Sequence, residues 1–432
     1  MGGLGVTSTD PECIQWLRNT NLANLMVWST WWPIIIISAV LLGRVWCMVC
    51  PMELIAYWAG KIGLRQRVPS WLKTGWGVTL FYTLIWIVGL QTLAVNRIPH
   101  QMSLYLLLLM ILAVDISLIF EKRAFCSYVC PVGHLLGLYA LLSPLEWRAH
   151  DTSVCKSCKT KDCIAKKNHY RLTGRSCTSH LYPAAIKDNR NCLTCTQCLK
   201  ACPHDNLRWS WRRPCADLFS GIDLPPAQVA FILVLSGFVV FEILSEWSVS
   251  YNIMMWLPWQ ITDALGLTGA ISNGVAATLM FVILPILILG FVAVLVQWAS
   301  GRQAPSFRTA TQSLTLLLLP TIASAHIIKS LLKMSSRIPY WRAALADPQG
   351  VHVAQSLAAG TLVLDHSATE RLEPAITCAT VILLLLALTI TLWMFRKSQI
   401  TQTFSPKAKI VLLLSALVYW SLFGITILDW RF

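Results

Sequence analysis

Residues Cys192–Pro203 read CLTCTQCLKACP, a C-x2-C-x2-C-x3-C-P run. This is the spacing of a bacterial [4Fe–4S] site: three thiolates wrap one face of a cubane, and the fourth, followed by proline, ligates the other cluster of a pair. Upstream, CKSCKTKDC (Cys155, Cys158, Cys163) and a later Cys177 supply a second, looser set. Four residues separate its second and third cysteines, and no proline follows Cys177. Each set offers three near thiolates and one remote one, which predicts crossed ligation. Cys155, Cys158, Cys163 and Cys202 would hold one cluster, and Cys192, Cys195, Cys198 and Cys177 the other. Zinc knuckles and structural disulfides are the alternatives. Four cysteines ending in Cys-Pro fit zinc ribbons poorly, and a reducing compartment, argued below, disfavours disulfides.

Outward from this stretch the chain turns apolar. Its 432 residues are 56% hydrophobic and only 13% charged, with mean hydropathy +0.59, which excludes an ordinary soluble enzyme. Runs long enough to cross a hydrocarbon core fall at about 27–46, 76–95, 103–120, 227–247, 274–298, 310–332, 375–395 and 409–428. None reads as the short apolar core of a cleavable signal peptide. The expected fold is an all-α polytopic membrane protein of about eight transmembrane helices with a small cytoplasmic ferredoxin-like 2[4Fe–4S] segment. Three parts follow: 1–142, a membrane part with two Cys-Pro motifs; 143–226, the iron–sulfur segment; and 227–432, a five-helix membrane bundle. A segment of some eighty residues is small for a core of its own, so cluster ligation must help hold it folded.

Orientation follows from the basic residues. Arg44, Lys61, Arg65, Arg67 and Lys73 follow the first span, Lys122 to Arg213 surround the clusters, and Arg302, Arg308, Arg396, Lys397 and Lys407 lie in two later loops. Loop 248–273 has no Lys or Arg. The rich side is expected to be the cytoplasm of a bacterial inner membrane, with the clusters there and both termini periplasmic. The net charge of +15 mostly reflects this asymmetry around spans, so no nucleic-acid partner is expected.

Two smaller cysteine pairs close spans one and three: GRVWCMVCP, with Cys47, Cys50 and Pro51, and KRAFCSYVCPVG, with Cys126, Cys130 and Pro131. If the spans are neighbours, four thiols meet at the inner surface. They could ligate a third [4Fe–4S] cluster, Cu(I) or zinc, form redox-active dithiols, or pack as buried small hydrophobes. The nearby Arg44, Lys122 and Arg123 are expected to lower their pKa values and favour ligation.

GRVWCMVCP, FCSYVCPVG and CLTCTQCLKACP together resemble the polyferredoxin membrane proteins of the NosR/NapH type and their CcoG-type oxidase-assembly relatives, over about residues 28–215. The resemblance implies a cytoplasmic pair of [4Fe–4S] clusters on the eight cysteines, a paired site at Cys47, Cys50, Cys126 and Cys130, and electron exchange with the quinone pool or a periplasmic or membrane redox protein. The chain departs from the family at Cys47 and Cys50, where two residues instead of three separate the cysteines. It also lacks the outer flavin-bearing domain of NosR and the soluble C-terminal domain of CcoG, and carries spans five to eight in their place.

The rest of the chain offers few chemically loaded residues. Glu242 and Glu246 lie one helical turn apart near the outer end of span four, and Asp115 lies within span three. Carboxylates inside a span are candidates for proton handling or quinone contact, or for buried structural hydrogen bonds. His100, His326, His352 and His366 are expected at or beyond the outer face, as a metal site, as acceptors of quinol protons or as solvated side chains. Cys13, Cys215 and Cys378 have no evident partner. The leading expectation is membrane-bound electron transfer between quinone and a redox partner, as a quinol dehydrogenase or a subunit of a larger oxidoreductase. The alternatives are copper handling or oxidoreductase assembly of the CcoG kind, and a transporter with a regulatory iron–sulfur segment.

Overall fold

A computed structural model describes residues 11–431, and helices make up 71% of it. Among the described residues, seven helices are long and apolar enough to cross a bilayer: Leu22–Leu42, Pro99–Ile119, Pro226–Leu244, Gly269–Ser300, Phe307–Ser336, Ser367–Lys397 and Pro406–Asp429. They are spans one and three to eight. Span two is the shorter Trp76–Thr92, whose second half, Ile85–Thr92, winds as a π-helix. Prolines open spans three, four and eight at positions where a missing N–H costs nothing.

Span six is the hub. In its most apolar stretch 83% of residues are buried, against 22–33% in spans one, three, five, seven and eight. The outer spans turn large apolar side chains outward instead, as Ile286, Leu287, Ile288 and Phe291 do on span five, the pattern a hydrocarbon solvent favours. One apolar core runs through both membrane parts. Tyr82 stacks on Phe231 at 4.3 Å and Trp86 on Phe238 at 3.4 Å between ring centres, tying span two to span four.

The loops are more structured than expected. The segment after span six contains the helices Tyr340–Ala346 and Val351–Ala358. The second packs on an N-terminal helix, Pro11–Thr20, so that Cys13, Leu17 and Ala354 share a small core. Gly350 permits this contact: its φ is +77°, and a Cβ there would lie 2.4 Å from the carbonyl carbon of Thr20. Loop 248–273 carries the helix Ser248–Ala264, whose exposed Ile253, Trp256 and Leu257 suit an interfacial position.

The cysteine-rich segment is bracketed by two strands, β1 (Leu145–Ala149) and β2 (Leu207–Trp211), paired antiparallel with Leu145 opposite Trp211 and Ala149 opposite Leu207. The pair closes the base of the segment against the membrane bundle. Trp147 on β1 is buried among Cys192, Cys198, Cys202 and Leu207.

Candidate iron–sulfur centres and the cavity behind them

The two cysteine groups of the ferredoxin-like segment interleave in space. Cys155, Cys158, Cys163 and Cys202 line one concavity, with Tyr182 and Asn206. Cys177, Cys192, Cys195 and Cys198 line another, with Trp147 and Leu181. Donors already aim at sulfur: Asn206 Nδ2 to Cys155 Sγ at 3.3 Å, Trp147 Nε1 to Cys198 Sγ at 3.1 Å and Leu181 N to Cys177 Sγ at 3.4 Å. Hydrogen bonds to sulfur are one means by which a protein sets a cluster's potential. Burial pushes the Cys163 thiol up to about 11, helped by its neighbours Cys202, Cys155 and Cys158. Cys158 is held low, at about 7, chiefly by the Thr160 hydroxyl.

The third group forms where two chain reversals meet. After span one the chain turns at Gly43 (φ +73°) into the short helix Trp46–Val49, and Pro51 opens the helix Pro51–Ile62. After span three, Ala124–Tyr128 leads to Cys130, the N-cap of the helix Pro131–Tyr139, whose Sγ accepts from Gly133 N at 3.4 Å. Cys47, Cys50, Cys126 and Cys130 are electrostatic neighbours of one another. Their position differs from the expected one at the membrane surface. The Pro51–Ile62 helix folds back along span three. Its Gly60 and Gly63 approach Ser117 and Leu118, with an added Cβ only 2.4 Å from the Leu118 carbonyl oxygen at Gly63. Cys50, at the far end, is therefore set back by about a helix length, roughly 18 Å, from the end of span three.

The expected fall in thiol pKa is reversed. Burial pushes Cys50, Cys126 and Cys130 up, and in Cys126 it outweighs the opposing guanidinium of Arg123. Lys122 turns away, toward His180 and Cys177. As free thiols these three stay protonated, and only a bound metal would hold them as thiolates. The surrounding charge fits such a group. Arg44 and Arg123 are 6% and 4% exposed; Arg44 Nη2 reaches Cys47 Sγ at 3.8 Å and Arg123 Nη2 donates to Cys47 O at 3.0 Å. Among the described residues, Arg44 Nε and Arg123 Nη1 have no hydrogen-bond partner. Glu53, the carboxylate beside Arg123 at 3.5 Å, is shared with Arg175 at 3.3 Å. Buried guanidinium in excess over carboxylate is costly unless an anion sits between, and an all-thiolate cluster is such an anion. Among the described residues, no three His, Cys, Asp or Glu converge tightly enough for a single metal ion.

Behind this centre lies a small cavity of about 30 Å³ between spans one, two, four and six, lined by Trp28, Trp32, Trp86, Glu242, His326 and Lys333 among others. His326 is not at the outer face: it is 3% exposed, within span six. Trp32 Nε1 donates to its Nε2 at 3.3 Å, so a neutral ring carries its proton on Nδ1, which faces the Tyr139 hydroxyl at 2.9 Å. Glu242 and Glu246 are not free carboxylates. Lys329 pairs with both, at 3.6 Å to Glu242 Oε2, and also donates to the Glu242 carbonyl at 2.8 Å. Asp115 stands on the exposed face of span three, away from this cavity. His352 and His366 are exposed and His100 is elsewhere, so the four histidines do not converge. Cys13 and Cys215 are buried and Cys378 is exposed. Lys329 and Lys333 went unnoticed in the sequence, although lysine inside a span is as strong a signal as glutamate.

Fold and cysteine sets define a polytopic helical membrane protein of iron–sulfur type. The family described as a 4Fe–4S binding domain matches residues 24–78 and 102–148. The matched stretches contain Cys47, Cys50, Cys126 and Cys130 and stop short of the other eight ligand candidates. Two proteins of Methanocaldococcus jannaschii are similar: "Uncharacterized protein MJ0749", 27% identical over 184 residues (41% of this chain, 68% of that protein), and "Uncharacterized protein MJ0750", 25% identical over 200 (41% and 76%). So is the "Putative electron transport protein YccM" of Escherichia coli, 24% identical over 212 residues, 42% of this chain and 55% of that one. No solved structure matches. These similarities support iron–sulfur electron transfer at a membrane, without singling out the NosR/NapH type.

Proposed function

We propose that the protein exchanges electrons between the quinone pool and a redox partner, with quinone at the His326 cavity, in the manner of the NosR/NapH type. One observation carries the reading. The buried helix Pro131–Tyr139 begins on Cys130 and ends with Tyr139 on His326, so about 13 Å of helix separates the third cysteine set from the cavity. Clusters at Cys47, Cys50, Cys126 and Cys130, at the Cys155 set and at the Cys177 set would supply one-electron carriers when bound. The chain's residues do the rest. The void of about 30 Å³ has to widen to admit a quinone ring, to which Trp28, Trp32 and Trp86 then offer aromatic walls; Lys333 offers a cationic donor to a carbonyl oxygen, and Glu242 is the nearest carboxylate for a proton. In the proposed orientation the clusters lie on the cytoplasmic side of a bacterial inner membrane, with both termini periplasmic. The test is reduction of the purified protein by a quinol analogue, followed by bleaching of cluster absorbance. His326→Ala and Lys333→Met should slow it at least tenfold with iron content unchanged. Equal rates in wild type and both variants would remove quinone from this cavity.

A further inference from the structure

A second cavity lies on the other side of span four. It holds about 650 Å³ and is walled by Leu233, Val240, Met280, Leu289, Leu318 and other apolar residues of spans four, five, six and eight. No Lys, Arg, Asp, Glu or His lines it, and its mouth is framed by the exposed Ile288, Leu414 and Val418, so it opens sideways into hydrocarbon. Interiors do not keep empty spaces of this size, and an uncharged apolar chain is the solute at hand. The hydroxyls of Ser250, Ser415 and Thr426, which also line it, donate to backbone carbonyls; one further polar pair breaks the wall. Ser236 Oγ and Tyr419 Oη bond to each other at 2.6 Å and show no other hydrogen bond among the described residues. Two hydroxyls carry two protons, and their mutual bond uses one. The second is free to donate into the cavity. Both residues sit near the middle of their spans, far from the depth of phospholipid ester groups.

We propose that this cavity is a second lipid site, which takes a neutral long-chain isoprenoid quinone with one carbonyl oxygen on the Ser236–Tyr419 pair. It is distinct from the His326 cavity, and it rests on the quinone reading only for the headgroup. A charged-head lipid is disfavoured because the acceptor must reach mid-membrane and no counter-charge waits there.

The experiment uses full-length protein in lipid nanodiscs with two photoreactive probes, an azido isoprenoid quinone and a diazirine phospholipid. The quinone probe should label span eight around residues 414–426. Ser236→Ala/Tyr419→Phe, and separately Val418→Trp across the mouth, should cut that labelling at least fivefold. Reduction of the clusters by a tail-less quinol should be unchanged in both, since neither variant touches the His326 cavity. Labelling of this stretch by the phospholipid probe in competition with quinone would overturn the proposal, as would undiminished quinone labelling in the hydroxyl-free variant. If tail-less quinol reduces no form of the protein while labelling behaves as stated, the redox assignment of the His326 cavity fails and the lipid site stands.

Discussion

Cys202 is the residue at which spacing and space disagree about neighbours. It follows Cys198 by four positions yet lines the concavity of Cys155, Cys158 and Cys163. Cys202→Ser is therefore expected to remove the EPR signal of the Cys155 set and leave that of the Cys177 set. Loss of only the latter would reverse the ligation. Arg123 gives a second prediction. With its guanidinium neutralised in Arg123→Gln, the four recessed thiols lose one of the two buried charges beside them. Iron should fall from about twelve to about eight atoms per chain, at four per cubane; full retention would show that the charge is dispensable. Residue-scale legibility was uneven for a physical reason. The grouping of the eight thiols into two sets could be read because cysteine spacing is local. The thiol pKa values could not, because nearby arginines are visible in sequence while desolvation is set by packing, and burial raised Cys126 despite Arg123.

The helix Pro131–Tyr139 matters most among the elements, and it was the least visible. At nine residues it falls far below the length of a span, so hydropathy registers only an apolar stretch after Cys130. Its Gly137 lies against the iron–sulfur segment: a Cβ there would come within 2.6 Å of the Arg190 carbonyl oxygen. The clash is with backbone, which cannot swing aside. Gly137→Ala should thus push the helix off the segment, costing about 1–3 kcal/mol and lowering the thermal midpoint. Tyr139→Phe keeps the packing and deletes only the hydroxyl at His326. It should slow quinol-driven reduction while leaving iron content and melting nearly unchanged. If it behaves as wild type, the contact with His326 is structural and the element's role ends at packing. The spans themselves were legible, since about twenty apolar residues are a long signal. The interfacial helix Ser248–Ala264 and the outer pair around Gly350 were not, because amphipathic or short helices depend on what they pack against.

For the whole molecule the open quantity is which way it faces. Contacts already sort the loops into two sides. Arg44 donates to the Arg190 carbonyl at 3.0 Å, Arg308 pairs with Asp223 at 3.2 Å, Gln312 donates to Ile222 O at 2.7 Å and Ser398 to Leu218 O at 2.9 Å. The loop after span one, the iron–sulfur segment and the loops before spans six and eight therefore share one face. On the other, Thr20 donates to Gly350 O at 2.8 Å and Asn24 to Asn96 O at 3.4 Å. The first face holds most of the Lys and Arg near span ends, and such residues are retained in the cytoplasm. It also holds eight of the twelve candidate ligand thiols, which an oxidising compartment would convert to disulfides. Both arguments favour the proposed orientation by independent physics, one through membrane insertion and one through redox chemistry. Fusions of a reporter active only outside the membrane should accordingly be bright at residues 260 and 350, and dark at 160, 303 and 402. A bright fusion at 160 together with a dark one at 350 would invert the molecule and place the iron–sulfur segment where its thiols could not stay reduced.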